Sequence, residues 1–283
     1  MNSGITYTLD DLLTLMAVLR NPREGCPWDQ RQDWDSIVPH TLEEAYEVAD
    51  AIERRAFEEL PGELGDLLFQ VVYYCQFGVE EQRFDFHQVV HLLVAKMLRR
   101  HPHVFPDGTL GSRREESGTD ELQVKQRWEA LKAQEREARQ ANSILDDVPR
   151  TLPALSRAAK LSRRAAQVGF DWPDARGVIA KIREELAEVE EALEQRELGQ
   201  VQARRVQEEI GDLLFAVTNL ARHQGADPEQ CLRGTNEKFE RRFRYVETAH
   251  ENTGRGLSQA SFSKVRLAEM EAHWQAAKSE ESL

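Results

Sequence analysis

The amino-acid sequence predicts an all-α protein built from two tandem, homologous helical-bundle domains. Apolar residues recur with the helical period along most of the 283 residues, and no segment shows a convincing strand alternation. The string Gly-Asp-Leu-Leu-Phe from Gly65 to Phe69 recurs from Gly211 to Phe215. Since such long-period self-similarity indicates a duplicated domain, we expect two antiparallel bundles of four to five helices each.

The helices of the first half are predicted from caps and apolar stripes. Asn21-Pro22 ends the first helix, and Thr41 is expected to open the second as a capping box with Glu44. Asp85 is the predicted cap of the fourth. The predicted spans are 9–19, 41–52, 63–74 and 85–100, followed by a loop over 102–118 and a charged helix over 120–141.

The second half repeats this order and sets the expected domain boundary. Helices are predicted over 155–168, 175–196, 200–224, 228–250 and 262–279. One of them carries an apolar stripe that we expect to be buried. The stripe consists of Ile179, Ile182, Leu186, Val189 and Leu193. The first domain is predicted over 1–142, a linker over 143–152 and the second domain over 153–283.

Composition narrows the classes of function. A net charge of -13 argues against nonspecific binding to nucleic acid or to an anionic membrane, because the long-range field would repel both. No apolar run reaches membrane-spanning length, and the amino terminus lacks a signal-peptide pattern. Three cysteines without Cys-x-x-Cys spacing favour a reducing compartment. We therefore expect a soluble cytoplasmic protein without nucleic-acid or membrane partners.

Each half contains a Glu-x-x-Glu followed by a Glu-x-x-Asp. These residues are Glu44, Glu47, Glu63 and Asp66 in the first half and Glu185, Glu188, Glu209 and Asp212 in the second. Residues three apart share a helix face, so two facing helices can direct four carboxylates at one volume. All-oxygen ligation favours Mg²⁺, with Mn²⁺ as a substitute. Any single Glu-x-x-Glu, however, is also typical of a solvated helix face.

A basic pair one helical turn apart follows each acidic set, as Lys96 and Arg100 in the first half and Lys238 and Arg242 in the second. Considered alone, such a pair on a charged helix is typical of a surface. A tryptophan recurs further along each half. These are Trp128 and Trp274.

The combined order of these motifs resembles the MazG nucleoside triphosphate pyrophosphohydrolases, in particular their two-domain, tandem form. The strings that carry the resemblance besides the acidic motifs are 25–29, 99–105, 168–172 and 236–242. The resemblance implies an all-α homodimer that hydrolyses the α–β phosphoanhydride of nucleoside triphosphates with Mg²⁺, releasing monophosphate and pyrophosphate in nucleotide-pool house-cleaning. It also implies roles for particular residues. The implied metal ligands are Glu185, Glu188, Glu209 and Asp212, and the positions tied to catalysis or substrate contact are Lys238, Arg242 and Trp274.

Further site residues are hypotheses from the sequence. Glu184 or Glu208 is a candidate to activate the attacking water, as a general base. Trp172 or Trp274 is a candidate to stack on a base, although packing in the core explains either equally well.

Comparison of the two halves predicts that the carboxyl-terminal half carries most of the hydrolysis. Polar residues near the second acidic set have different counterparts in the first: Arg205 aligns with Glu59, Glu208 with Gly62, Asn219 with Tyr73 and Arg222 with Gln76. The first half thus lacks a cation and several polar groups where a triphosphate needs them. We therefore count Arg205 among the catalytic candidates, and Asn219 and Arg222 among the substrate-binding ones. The first half is expected to hold a second, weaker site.

Two alternatives stay open at this point. The chain fits a pyrophosphatase of the same fold with one narrow substrate. It also fits a metal-stabilised helical interaction protein, whose charged helices, 120–141 and the one near Glu247, would bind a partner.

Overall fold

The computed structural model describes residues 6–113, 143–252 and 264–281, together with residues 124, 127, 128 and 131. The chain divides into two compact units, Met1–Ala133 and Gln134–Leu283, which we call the amino-terminal and carboxyl-terminal units. Across the described residues there are nine α-helices and no β-strand. The all-α prediction is confirmed, whereas the boundary predicted over 143–152 stays a prediction.

Four helices are described in the amino-terminal unit and five in the carboxyl-terminal unit. The first four are α1 (Leu9–Leu19), α2 (Trp34–Glu53), α3 (Leu60–Glu80) and α4 (Phe86–Arg100). The others are α5 (Ala154–Gln167), α6 (Ala175–Glu197), α7 (Ala203–His223), α8 (Pro228–Asn252) and α9 (Lys264–Glu280). The predicted charged helix over 120–141 falls almost entirely outside the described residues.

The predicted start of the second helix at Thr41 is wrong. Helix α2 begins at Trp34, because Asp33 and Ser36 cap it reciprocally. The Asp33 carboxylate accepts a hydrogen bond from the Ser36 N–H at 2.8 Å, and the Ser36 hydroxyl accepts one from the Asp33 N–H at 2.8 Å. This capping box satisfies two backbone donors of the first turn. Pro39 then lies inside the helix, where it removes one hydrogen bond but does not end the helix. The Thr41 hydroxyl instead donates within the helix to the Ile37 carbonyl at 3.0 Å.

The core of the amino-terminal unit is aromatic and centred on α3. Its buried residues are Met16, Ile37, Val72, Tyr73, Cys75, Phe77 and Phe86. Trp34 from α2 stacks on Tyr74 at a centroid distance of 5.9 Å. An ion pair between Arg20 and Glu80, at 2.7 Å, ties the end of α1 to the end of α3.

The apolar stripe predicted to be buried on α6 is largely exposed. Val189 is buried, but Ile179, Leu186 and Leu193 are 38%, 47% and 43% exposed. In each unit the most extensive helix packing joins the two helices that carry the carboxylates, α2 with α3 and α6 with α7. Each of these helices therefore has an outward side that its partner helix leaves uncovered.

Candidate metal centre and phosphate-binding residues

Three carboxylates meet in the carboxyl-terminal unit. Helix α6 contributes Glu185 and Glu188, α7 contributes Glu209, and one oxygen from each lies within 4.8 Å of the others. The pairing arises because residues three apart on α6 share one face and that face packs on α7. Asp212, the fourth predicted ligand, lies one turn beyond Glu209 on α7 and outside this three-residue group.

The carboxylates of this cluster are poorly solvated. Glu185 and Glu209 are 5% and 2% exposed, and within the described residues the buried Oε2 of Glu185 has no hydrogen-bond partner. Burial raises the pKa of the Glu188 carboxyl, and the neighbouring Glu185 and Glu209 carboxylates raise it further. A buried, unpartnered carboxylate oxygen is costly. The donor set therefore fits a hard divalent cation, which would accept that lone pair and offset the mutual repulsion.

Two cations flank the cluster. The Lys181 Nζ lies 2.7 Å from Glu184 and 2.9 Å from Glu185, and these carboxylates raise the pKa of the Lys181 ammonium. Arg205 lies 2.5 Å from Glu209, so this predicted residue does lie against the cluster. Lys181 was missed in the sequence, although its position four residues before Glu185 was the available signal.

The two candidates for a general base are both paired in this structure. Glu184 contacts Lys181, and Glu208 accepts a hydrogen bond from Arg204 at 2.9 Å. Both side chains are more than half exposed, at 59% and 51%. The geometry therefore does not favour either Glu184 or Glu208 as the general base.

The amino-terminal unit builds a similar acidic group with different neighbours. Oxygens of Glu44, Glu63 and Asp66 lie within 4.8 Å of one another. Burial raises the pKa of the Glu44 carboxyl, and the neighbouring Glu47, Asp66 and Glu43 carboxyl groups raise it further. Neither Lys181 nor Arg205 has a lysine or an arginine at its matching position in this unit.

The missing cations can be traced to two positions. His40 precedes Glu44 by the same spacing as Lys181 precedes Glu185, and it lies 3.6 Å from Glu43. Glu59 stands where the second half has Arg205, and it pairs with Arg54 at 2.8 Å. The amino-terminal group thus lacks both of the cations that flank its counterpart.

Asn219 and Arg222 lie away from the carboxylate cluster. Ten residues of helix separate Asn219 from Glu209, which is about 15 Å along α7. The Arg222 side chain donates to Asn219 Oδ1 at 2.7 Å and to Asp171 at 2.5 Å. The bond to Asp171 fastens the loop before α6 to α7, and the bond to Asn219 holds the Arg222 side chain along α7. Trp172 of the same loop packs so closely on Gly177 that a Cβ there would lie 2.6 Å from its ring.

Helices α8 and α9 carry the predicted basic pair and the tryptophan. The Arg242 guanidinium lies over the Trp274 ring at 5.8 Å, and that ring contacts Phe239 at a centroid distance of 5.2 Å. The Trp274 ring also lines an apolar cavity of about 280 Å³ between the two helices. Lys238 is exposed one turn earlier on α8.

The same positions are arranged differently in the amino-terminal unit. The Trp128 indole N–H donates to the Arg100 carbonyl at 2.9 Å, and the ring lies edge-on to His101 at 5.2 Å. Helix α4 ends at Arg100, whereas α8 continues well beyond Arg242. Lys96 is partly buried on α4.

Comparison with known proteins finds relatives that align with nearly the whole chain. A family model described as the MazG nucleotide pyrophosphohydrolase domain matches residues 32–105 and 175–246. The chain is 48% identical over 273 residues to the nucleoside triphosphate pyrophosphohydrolase of Escherichia coli strain K12, covering 96% of this chain and 98% of that protein. It is 38% identical over 276 residues to the nucleoside triphosphate pyrophosphohydrolase/pyrophosphatase MazG of Thermotoga maritima, covering 98% and 97%. Among the residues that the structure describes, no helix combines the length and the hydropathy that a membrane span needs.

Proposed function

The chain belongs to the MazG nucleotide pyrophosphohydrolase family, and from that membership we propose that its carboxyl-terminal unit is the main catalytic unit of a Mg²⁺-dependent enzyme. The family resemblance inferred from the motifs is confirmed. The protein is a nucleoside triphosphate pyrophosphohydrolase, a hydrolase of phosphoric anhydrides that serves nucleotide-pool house-cleaning. The observation that supports the choice of unit is the carboxylate cluster flanked by Lys181 and Arg205.

Glu185, Glu188, Glu209 and Asp212 would hold the metal, with Mg²⁺ as the expected ion and Mn²⁺ as a substitute. When bound, the ion neutralises phosphate charge and helps to orient water for attack on phosphorus. The buried Glu185 oxygen without a partner supports this assignment, since an ion would satisfy it.

The cations of the carboxyl-terminal unit supply the rest of the electrostatics. Phosphoryl transfer depends on positioning and on neutralising charge at the triphosphate and at the leaving group. Lys181 and Arg205 offset part of the negative charge of the cluster. We expect both side chains to turn towards phosphate oxygens when the metal ion and the triphosphate bind. Lys238 and Arg242 would contact the triphosphate, and Trp274 would offer its ring to the base.

The structure supports direct substrate contact less for three predicted residues than for Lys238 and Arg242. These three are Trp172, Asn219 and Arg222. Their hydrogen bonds and packing hold the loop before α6, so a role in shaping the substrate pocket accounts for them. We retain them as substrate-binding candidates. A cytoplasmic location is proposed because nucleoside triphosphate pools are maintained there.

We also propose a homodimer. Matched positions on α3 and α7 are apolar and exposed in both units, with Leu64, Leu68 and Val71 in the first and Ile210, Leu214 and Val217 in the second. Exposed apolar surface of this extent is typical of an interface. A second copy offers the same face, as a two-fold interface requires.

Separate inactivation of the two acidic groups tests the proposal. Pyrophosphate release from a panel of ribo- and deoxynucleoside triphosphates is measured with Mg²⁺ for Glu185→Ala/Glu188→Ala and for Glu44→Ala/Glu47→Ala. The first variant is expected to lose at least about 100-fold in kcat, because it removes metal ligands, and the second to retain most activity. Equal losses would contradict the assignment to the carboxyl-terminal unit.

The same panel addresses the alternatives. Turnover of one triphosphate alone would identify the narrow-substrate enzyme. Family membership decides for hydrolysis over the alternative of a metal-stabilised interaction protein.

A further inference from the structure

A carboxylate at the end of α9 joins two arginines of α8. The Glu281 Oε1 accepts a hydrogen bond from Arg241 Nε at 2.7 Å. Its Oε2 accepts one from Arg242 Nε at 2.8 Å and lies 2.7 Å from an Arg242 Nη. The backbone of Glu281 is also fixed, since its N–H donates to the carbonyl of the buried Ala277 at 3.3 Å.

The Arg242 guanidinium is thereby held on one edge and one face. Glu281 engages the edge formed by Nε and one terminal nitrogen, and Trp274 covers a face at 5.8 Å. The side chain is only 17% exposed. A guanidinium has five N–H donors, and among the described residues no acceptor engages the opposite edge of Arg242. That edge can therefore donate to another anion.

We propose that Glu281 is a positioning residue, which orients Arg242 so that its remaining donors meet an oxygen of the nucleoside triphosphate. This inference rests on the proposed function, in which Arg242 contacts the substrate. A free arginine side chain loses rotamer freedom when it binds a phosphate, and prior orientation removes that cost from the reaction.

The charge balance is compatible with this role. Arg241, Arg242 and Glu281 together carry one net positive charge, so the group still attracts a polyanion. Hydrogen bonds from Arg241 and Arg242 keep the pKa of the Glu281 carboxyl below its usual range, so the carboxylate is ionised at neutral pH. Glu281 thus weakens the attraction of the two arginines for the triphosphate but fixes the orientation of Arg242.

Steady-state kinetics of the full-length chain tests the inference, with the triphosphate that the substrate panel shows to turn over fastest. The variants are Glu281→Ala, Arg242→Ala and the double variant. Since Glu281 acts through Arg242, Glu281→Ala is expected to lower kcat/KM about tenfold, and the double variant to be no worse than Arg242→Ala alone. Glu281→Gln is expected to lose less, because its amide oxygen can still accept from Arg242.

The neighbouring carboxylate provides a matched control. Glu280 accepts a hydrogen bond from Tyr245 at 3.1 Å, whereas the ion pairs of Arg241 and Arg242 within the described residues are with Glu281. Glu280→Ala removes the same charge from the same turn and is expected to leave kcat/KM unchanged. Thermal melting of both variants identifies any general loosening of the last turn of α9, which would affect them alike.

The outcomes are distinguishable. Additive effects in the double variant, with Arg242→Ala impaired, would overturn the inference alone. A rise in kcat/KM on Glu281→Ala would also overturn it, since the carboxylate would then compete with phosphate. If Arg242→Ala is fully active, the substrate role of Arg242 fails and the inference falls with it.

Discussion

Single residues around the carboxylates, more than the carboxylates themselves, distinguish the two halves. Both units bring three acidic side chains within 4.8 Å of one another. Only the carboxyl-terminal group has Lys181 and Arg205 against it, whereas His40 and Glu59 occupy the matching positions in the other. Cations beside a carboxylate cluster weaken its repulsion of a substrate with several negative charges, which is why we propose the carboxyl-terminal unit as the main catalytic unit.

Arg205 offers a direct test at the residue scale. Arg205→Gln removes a cation 2.5 Å from the buried Glu209 and is expected to lower kcat/KM for the triphosphate roughly tenfold, because charge-assisted hydrogen bonds to phosphate are strong. The measurement is initial-rate pyrophosphate release at saturating Mg²⁺. Arg196→Gln is the control, since Arg196 is exposed in the last turn of α6, about two turns beyond Glu188. Similar losses in both variants would argue for a general effect of surface charge.

Helix ends show how local sequence decides each element. Asp85 was predicted to cap the fourth helix, and its side chain accepts the Gln88 N–H at 2.7 Å. At α2 the predicted cap, Thr41, is not used, and Asp33 with Ser36 forms the capping box earlier in the chain. Thr41 lies inside the helix, where its hydroxyl donates to the Ile37 carbonyl and lies 2.8 Å from the Tyr74 hydroxyl of α3.

The ion pair that joins α1 to α3 gives a pH-dependent prediction. The Arg20 guanidinium keeps the pKa of the Glu80 carboxyl below its ordinary value of 4.5. A carboxyl with a lowered pKa stabilises the fold above the unfolded value, and this contribution disappears as the pH falls through the folded pKa. Glu80→Gln is therefore expected to lower the free energy of unfolding at pH 7, with a difference from the native chain that shrinks below about pH 4.5.

Denaturant unfolding across this pH range provides the measurement. Glu24→Gln is the control, because Glu24 is exposed in the loop after α1 and its change should not produce this profile. A destabilisation by Glu80→Gln that stays constant down to pH 3 would show that the ion pair is not its cause.

At the scale of the whole molecule, the exposed apolar positions are the main feature that one chain leaves unexplained. Leu214 on α7 is 53% exposed and its counterpart Leu68 on α3 is 38% exposed. A specific interface of standard size covers roughly 800 Å² on each partner. The exposed apolar rows on α3 and α7 could form the apolar part of such an interface. The proposed homodimer would bury them.

A charge on this face should separate the copies. Leu214→Glu is expected to shift the native mass towards the monomer in light scattering, since an unpaired charge is costly at an apolar interface. Leu198→Glu is the matched control, because Leu198 is 71% exposed just after the end of α6 and does not belong to the α7 row. An unchanged mass for Leu214→Glu would exclude this face from the interface.

The sequence by itself determined the duplicated all-α fold, the ends of α1 and α4, and the pairs of carboxylates on shared helix faces. These features depend on short-range causes: helical periodicity, a cap within three residues, or a proline after a helix. Such causes involve only residues close together in the chain, so the amino-acid sequence alone reveals them.

Only the tertiary structure decided which neighbours those residues meet. It placed Lys181 against Glu185, tied Arg222 to Asp171 and put Glu281 on Arg242. It also left Leu186 exposed although its helical stripe predicted burial. The physical reason is that burial and ion pairing depend on which distant helix supplies the other surface, and the period of one helix carries no information about that choice.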